Sequence, residues 1–86
     1  MKKIVFIARV TDGNSDAYKA YFTREEAVKT AEMYKAHLTS AEAKTHTVSV
    51  ESYEVEAENA TTTAEEAFNE ACFNDEIADP DNYEVI

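Results

Sequence analysis

The chain is poor in the residues that usually mark tight turns, covalent staples and catalytic loops: one glycine, one proline, one cysteine and no tryptophan in 86 residues. A lone Cys72 excludes an internal disulfide. With Gly13 as the sole glycine, a glycine-rich phosphate loop and a G-x-S-x-G nucleophile turn are both excluded. No apolar run approaches the roughly 18 residues that a membrane span requires. The largest absence is of positive charge, because no lysine or arginine follows Lys44. The last 42 residues carry twelve acids and net −12, whereas the first 44 carry six acids and eight bases and net +2, which gives −10 for the chain. A surface of one sign repels nucleic acid and anionic lipid and attracts basic protein grooves. Direct nucleic-acid binding and membrane binding are therefore set aside.

What is present reads as one small α+β domain, since this length supports a single core. Lys3 to Thr11 is rich in β-branched residues and closes on Asp12-Gly13-Asn14-Ser15, a strand followed by turn chemistry. Ala17 to Phe22 alternates and returns as a hairpin partner. Thr23-Arg24-Glu25-Glu26 is a capping box that opens a helix with the stripe Ala27, Val28, Ala31, Tyr34 and Leu38. This helix frays between Thr39 and Lys44. A third strand spans Thr47 to Glu56, but its apolar parity changes from Val48 and Val50 to Tyr53 and Val55. That change predicts a bulge near Glu51 and Ser52, the alternative being a strand that buries different faces at its two ends. A second capping box, Thr63-Ala64-Glu65-Glu66, opens a helix with the stripe Ala64, Ala67, Phe68, Ala71 and Cys72. The expected order is ββαβα(β), an antiparallel sheet of order 2-1-3 with two helices packed mainly on one face. Residues 1–78 form the domain, and 79–86 form a tail that begins at Asp79-Pro80-Asp81-Asn82 and is able to add a short strand.

Metal, cofactor and enzymatic chemistry find no anchor. His37, His46 and Cys72 lack the paired short spacing of zinc ligands, and Asp79-Pro80-Asp81-Asn82 lacks the glycine and the distal glutamate of a calcium loop. Cys72, on an apolar stripe, reads as a buried inert thiol. No catalytic residue and no cofactor is expected, so the chain is read as a non-enzyme.

The candidate working surface is the acidic second half: Glu51, Glu54, Glu56, Glu58, Glu65, Glu66, Glu70, Asp75 and Glu76, with Tyr53 as contact area. Residues two apart in a strand rise about 6.6 Å together, so Glu54, Glu56 and Glu58 are expected in line on one face, with Glu66 and Glu70 stacked on the helix that follows. Such an array imitates the spaced charges of a nucleic-acid backbone and fits the basic groove of a nucleic-acid-binding protein. The blander reading is a solvated face, but ordinary solvated faces mix both signs. In size and charge the chain is similar to small acidic accessory proteins of phages and mobile elements, including inhibitors of CRISPR effectors. That similarity extends to no motif. The expected partner is the basic surface of a protein, with no direct nucleic acid, no membrane and a cytoplasmic location. The alternative is a homodimer formed through an uncovered sheet face around Val5 and Ile7.

Overall fold

The computed structural model describes residues 1–77 and 79–86. The expected domain boundary at residue 78 lies outside the described residues. The elements are β1 (Lys2–Thr11), β2 (Asp16–Tyr21), α1 (Arg24–His37), α2 (Ser40–Ala43), β3 (Thr47–Glu56), α3 (Ala64–Phe73) and β4 (Asn82–Val85). The strands form one antiparallel sheet of order β2-β1-β3-β4, so the tail supplies a fourth strand on the outer edge of β3. Among the described residues no helix is long and apolar enough to cross a membrane.

The β1–β2 hairpin is closed by a side chain. Asp12 Oδ1 accepts from the amides of Asn14 and Ser15, each at 2.8 Å, and Gly13 takes φ +95°, a conformation that costs glycine nothing. Those amide donors hold the Asp12 carboxyl below its ordinary pKa.

Two expectations about the sheet are corrected. First, β1 and β3 pair in one unbroken register from Lys2↔Glu56 to Thr11↔Thr47, so β3 contains no bulge. Its parity change instead reflects burial of opposite faces at its two ends. Val48 and Val50 lie under α1 with Ala8, Ala27 and Ala31, whereas Tyr53 and Val55 lie under α3 with Val5, Ile7, Ala64, Ala67, Phe68 and Ala71. Second, the two long helices do not share a face: the sheet is the middle layer between α1 and α3. β1 has apolar residues on both parities, so both faces require cover, and one helix supplies each. Val5 and Ile7 are consequently 0% exposed and offer no surface to a second copy.

The helices pack closely because their inner faces are alanines. α3 sets Ala64, Ala67 and Ala71 on the sheet and inserts one large side chain, Phe68, whose ring meets Tyr53 at 5.3 Å and Tyr18 edge-on at 5.6 Å between centroids. α1 buries Ala27, Ala31 and also Thr30, whose hydroxyl satisfies that of Tyr21 at 2.6 Å. The segment expected to fray contains the short helix α2, started by a reciprocal capping box between Thr39 and Glu42.

Candidate functional site

The cations of the first half reach several acids of the second, and this divides the candidate surface. Glu51, expected outside, is 7% exposed and sits on the α3 side of the sheet. Arg9 Nε approaches Glu51 Oε1 at 2.9 Å, although its N–H is not aligned along the contact, so the two meet as charges rather than as a directed hydrogen bond. Arg9 Nη1 also bonds Asp16 Oδ2 at 2.6 Å. The Tyr53 hydroxyl donates to Glu51 Oε2, and Ser49 Oγ donates to Oε1 at 3.4 Å. Burial opposes the Arg9 charge, but Glu51 and Asp16 outweigh it and the guanidinium pKa is held up. Burial, and then the bond to Glu51, push the Tyr53 phenol well above its ordinary range. Glu51 and Tyr53 are interior groups and contribute nothing to an outward array. Arg9 was the sequence signal for this network, being the one charged residue inside the apolar run of β1.

Glu54 and Glu56 alternate with the buried Tyr53 and Val55, so they project from the face opposite α3. Each has a cation: Lys2 Nζ lies 3.4 Å from Glu54 and the Met1 amino group 2.9 Å from Glu56. Glu84 is held by Arg24 Nη2, 2.7 and 2.5 Å from its two oxygens. The line of Glu54, Glu56 and Glu58 continuing onto the helix is therefore not formed.

What the fold does bring together is a smaller set on α3 and its flanking loops. Before the helix, Asn59 Oδ1 accepts from the Thr61 amide at 2.9 Å and the Asn59 amide donates to Thr62 Oγ1 at 3.2 Å, which fixes the loop bearing Glu58. Thr63 and Glu66 then form the expected capping box, each amide donating to the other side chain at 3.1 Å. The amide bond to Glu66 lowers its carboxyl pKa. Beyond the last turn, Asp75 takes φ +58°, the Glu76 amide donates to Ala71 O at 2.9 Å and the Asp75 amide to Cys72 O at 3.2 Å. This is a Schellman closure with aspartate where glycine is usual, and it sets Glu76 back against the helix.

Glu58, Glu65, Glu66, Glu70, Asp75 and Glu76 are all exposed, and none is ion-paired among the described residues. Glu58 stands close enough to Glu70 to raise its carboxyl pKa, with burial, Glu76 and Glu66 adding to the shift. Among the described residues no three His, Cys, Asp or Glu side chains are grouped to hold a metal ion. Cys72, expected to be buried, is exposed. A cleft of about 500 Å³ lies away from this layer, on the α1 side, between Phe6, Val50, Ser52, Asn82 and the Arg24–Glu84 pair. Compared with known proteins, the chain matches no family model, no curated protein and no solved structure.

Proposed function

We propose that the chain is a non-enzymatic interaction module whose α3 layer occupies the basic nucleic-acid-binding groove of another protein in the cytoplasm, in the manner of a DNA mimic. Mobile elements use small acidic proteins of this kind against host-defence nucleases such as CRISPR effectors. The working carboxylates are Glu58, Glu65, Glu70, Asp75 and Glu76, with Glu66 shared with the capping box.

The observation that carries this reading is that α3 holds its charge at a cost. Glu66 and Glu70 are four residues apart on one helix, a spacing at which like charges repel. Asp75 and Glu76 lie at the negative end of the helix dipole, where a cation is favourable, and the last turn of α3 has no basic residue. α1 shows the ordinary pattern in the same molecule: Glu25 and Glu26 open it, Lys35 and His37 close it, and Lys29 and Glu32 mix the signs between. A face needed only for solubility gains nothing from the crowding of Glu58 against Glu70. A face that must match a cationic groove does, because its mutual repulsion is relieved on binding.

The test is a pull-down from host lysate at graded salt, with a variant carrying Glu58→Lys, Glu65→Lys, Glu70→Lys and Glu76→Lys alongside. Captured basic proteins are expected to dissociate between low and moderate salt, to be missing with the variant, and to release bound duplex DNA when the unmodified chain is added. Glu54→Lys with Glu56→Lys, on the opposite face, is expected to leave capture intact. Capture that is insensitive to salt, or equal with the α3 variant, overturns the proposal.

A further inference from the structure

The sheet ends in two free edges, β2 and β4, and their central charges differ. The bond from the Ile86 amide to Val48 O at 2.9 Å, with the register Val50↔Glu84 and Glu51↔Tyr83, fixes the direction of the β4 peptide groups. Those of Asn82, Glu84 and Ile86 address β3, so those of Tyr83 and Val85 point outward. The Tyr83 and Val85 side chains share the α3 side of the sheet with Glu51 and Ser49 and are 57% and 61% exposed. Glu84 projects from the other side, where Arg24 neutralises it.

We propose that the β4 edge pairs with the same edge of a second copy, antiparallel about a two-fold axis through Glu84. In that register Tyr83 of each copy stands opposite Val85 of the other. The outward N–H and C=O groups of the four residues close hydrogen bonds, and an aromatic ring meets a β-branched side chain twice. At the axis Glu84 faces its own copy, an arrangement that like charge normally forbids, but each carboxylate already carries the Arg24 of its own chain. The β2 edge lacks this compensation. The equivalent pairing there sets Lys19 against Lys19, and Lys19 has no ion-pair partner among the described residues, which is how a lysine blocks an edge. An axis perpendicular to an eight-stranded sheet leaves both α3 layers on one side. Their carboxylates repel across it, so self-association strengthens as salt is added, opposite in sign to the binding of a basic partner.

Sedimentation equilibrium of the full chain at low and high salt tests this. A species of twice the 9.6 kDa chain mass is expected, more populated at high salt. Within its own chain Val85→Pro removes only an outward N–H, which an edge strand tolerates; between copies it deletes two hydrogen bonds and the valine side chains that face Tyr83, and weakens association by at least about thirty-fold. Arg24→Ala uncovers Glu84 and weakens association most at low salt. An unmodified chain that sediments at 9.6 kDa throughout, or Val85→Pro associating like the unmodified chain, overturns the proposal. If Val85→Pro loses its folded circular dichroism spectrum, Arg24→Ala decides: unchanged association overturns it.

Discussion

Replacing Arg9 by methionine isolates what holds the interior of the α3 face together. The substitution keeps a flexible apolar stem but removes the charge 2.9 Å from Glu51 Oε1. Arg9 and Glu51 side chains are 20% and 9% exposed, so the pair lies between surface and core. Coulomb's law at that separation with an effective dielectric of about 20 gives about 6 kcal/mol before desolvation is subtracted. Desolvation of two charges offsets much of this for the intact pair, but removal of one partner leaves the other uncompensated, at a cost of about 3–5 kcal/mol. The remaining donors, Tyr53 and Ser49, are neutral and soften the lower bound only slightly. Against a total stability of about 5–15 kcal/mol, Arg9→Met is expected to lower the urea midpoint by about a fifth or more. Arg9→Met with Glu51→Met is expected to recover most of the loss, because no charge then remains buried. The assay is equilibrium urea unfolding of both variants with the slope checked for constancy. A loss under about 1 kcal/mol for Arg9→Met, or no recovery in the double variant, would refute the argument that Glu51 depends on Arg9.

Asp75→Gly relieves a left-handed backbone position and removes an acid from the negative end of α3, so thermal unfolding is expected to rise with a gain of about 1 kcal/mol; an unchanged midpoint would show that Asp75 is not strained. Glu58→Gln is expected to return the Glu70 carboxyl toward its ordinary range in a carboxyl NMR titration. The linkage sign follows: a raised folded pKa means that the folded chain binds more protons than the unfolded one, so this repulsion destabilises fully above the raised pKa and is lost progressively as pH falls from the raised pKa to the unfolded one. Phe68→Ala, at 3% exposed, is expected to cost about 3–5 kcal/mol in urea unfolding, whereas Phe73→Ser, at 89% exposed, is expected to cost under about 0.5 kcal/mol.

Most of the local grammar was legible in the sequence, although the Thr23 box is only half formed, with Thr23 Oγ1 accepting from the Glu26 amide and no return bond from Glu26 to the Thr23 amide, and the box at Thr39 and Glu42 forms within the segment expected to fray. Thr63-Ala64-Glu65-Glu66 predicts a capping box and the structure forms it, because both partners lie within one turn. The stripes Ala27–Ala31 and Ala64–Ala67–Phe68–Ala71 are read from a 3.6-residue period that the backbone imposes. The hairpin around Asp12 and Gly13 follows from side-chain and φ preferences of those two residues. The alternation of Val48 and Val50 with Tyr53 and Val55 also contained the correct answer, a strand with one face buried at each end, but the same pattern is produced by a bulge. Only the register with β1 distinguishes them.

Tertiary structure decided which face each helix covers and which charges meet. Lys2 and Glu54, Arg9 and Glu51, and Arg24 and Glu84 are far apart along the chain; the pairing of β1 with β3 joins the first two, and the seating of α1 on the sheet joins the third. A charge count along the sequence therefore overstated the anionic half by treating Glu51, Glu54, Glu56 and Glu84 as unopposed. Residue type and short-range spacing determined the elements and the absence of late cations. The acidic layer itself, reduced to α3 and its two flanking loops, exists because long-range pairing took up Glu51, Glu54, Glu56 and Glu84 and placed no lysine or arginine beside these.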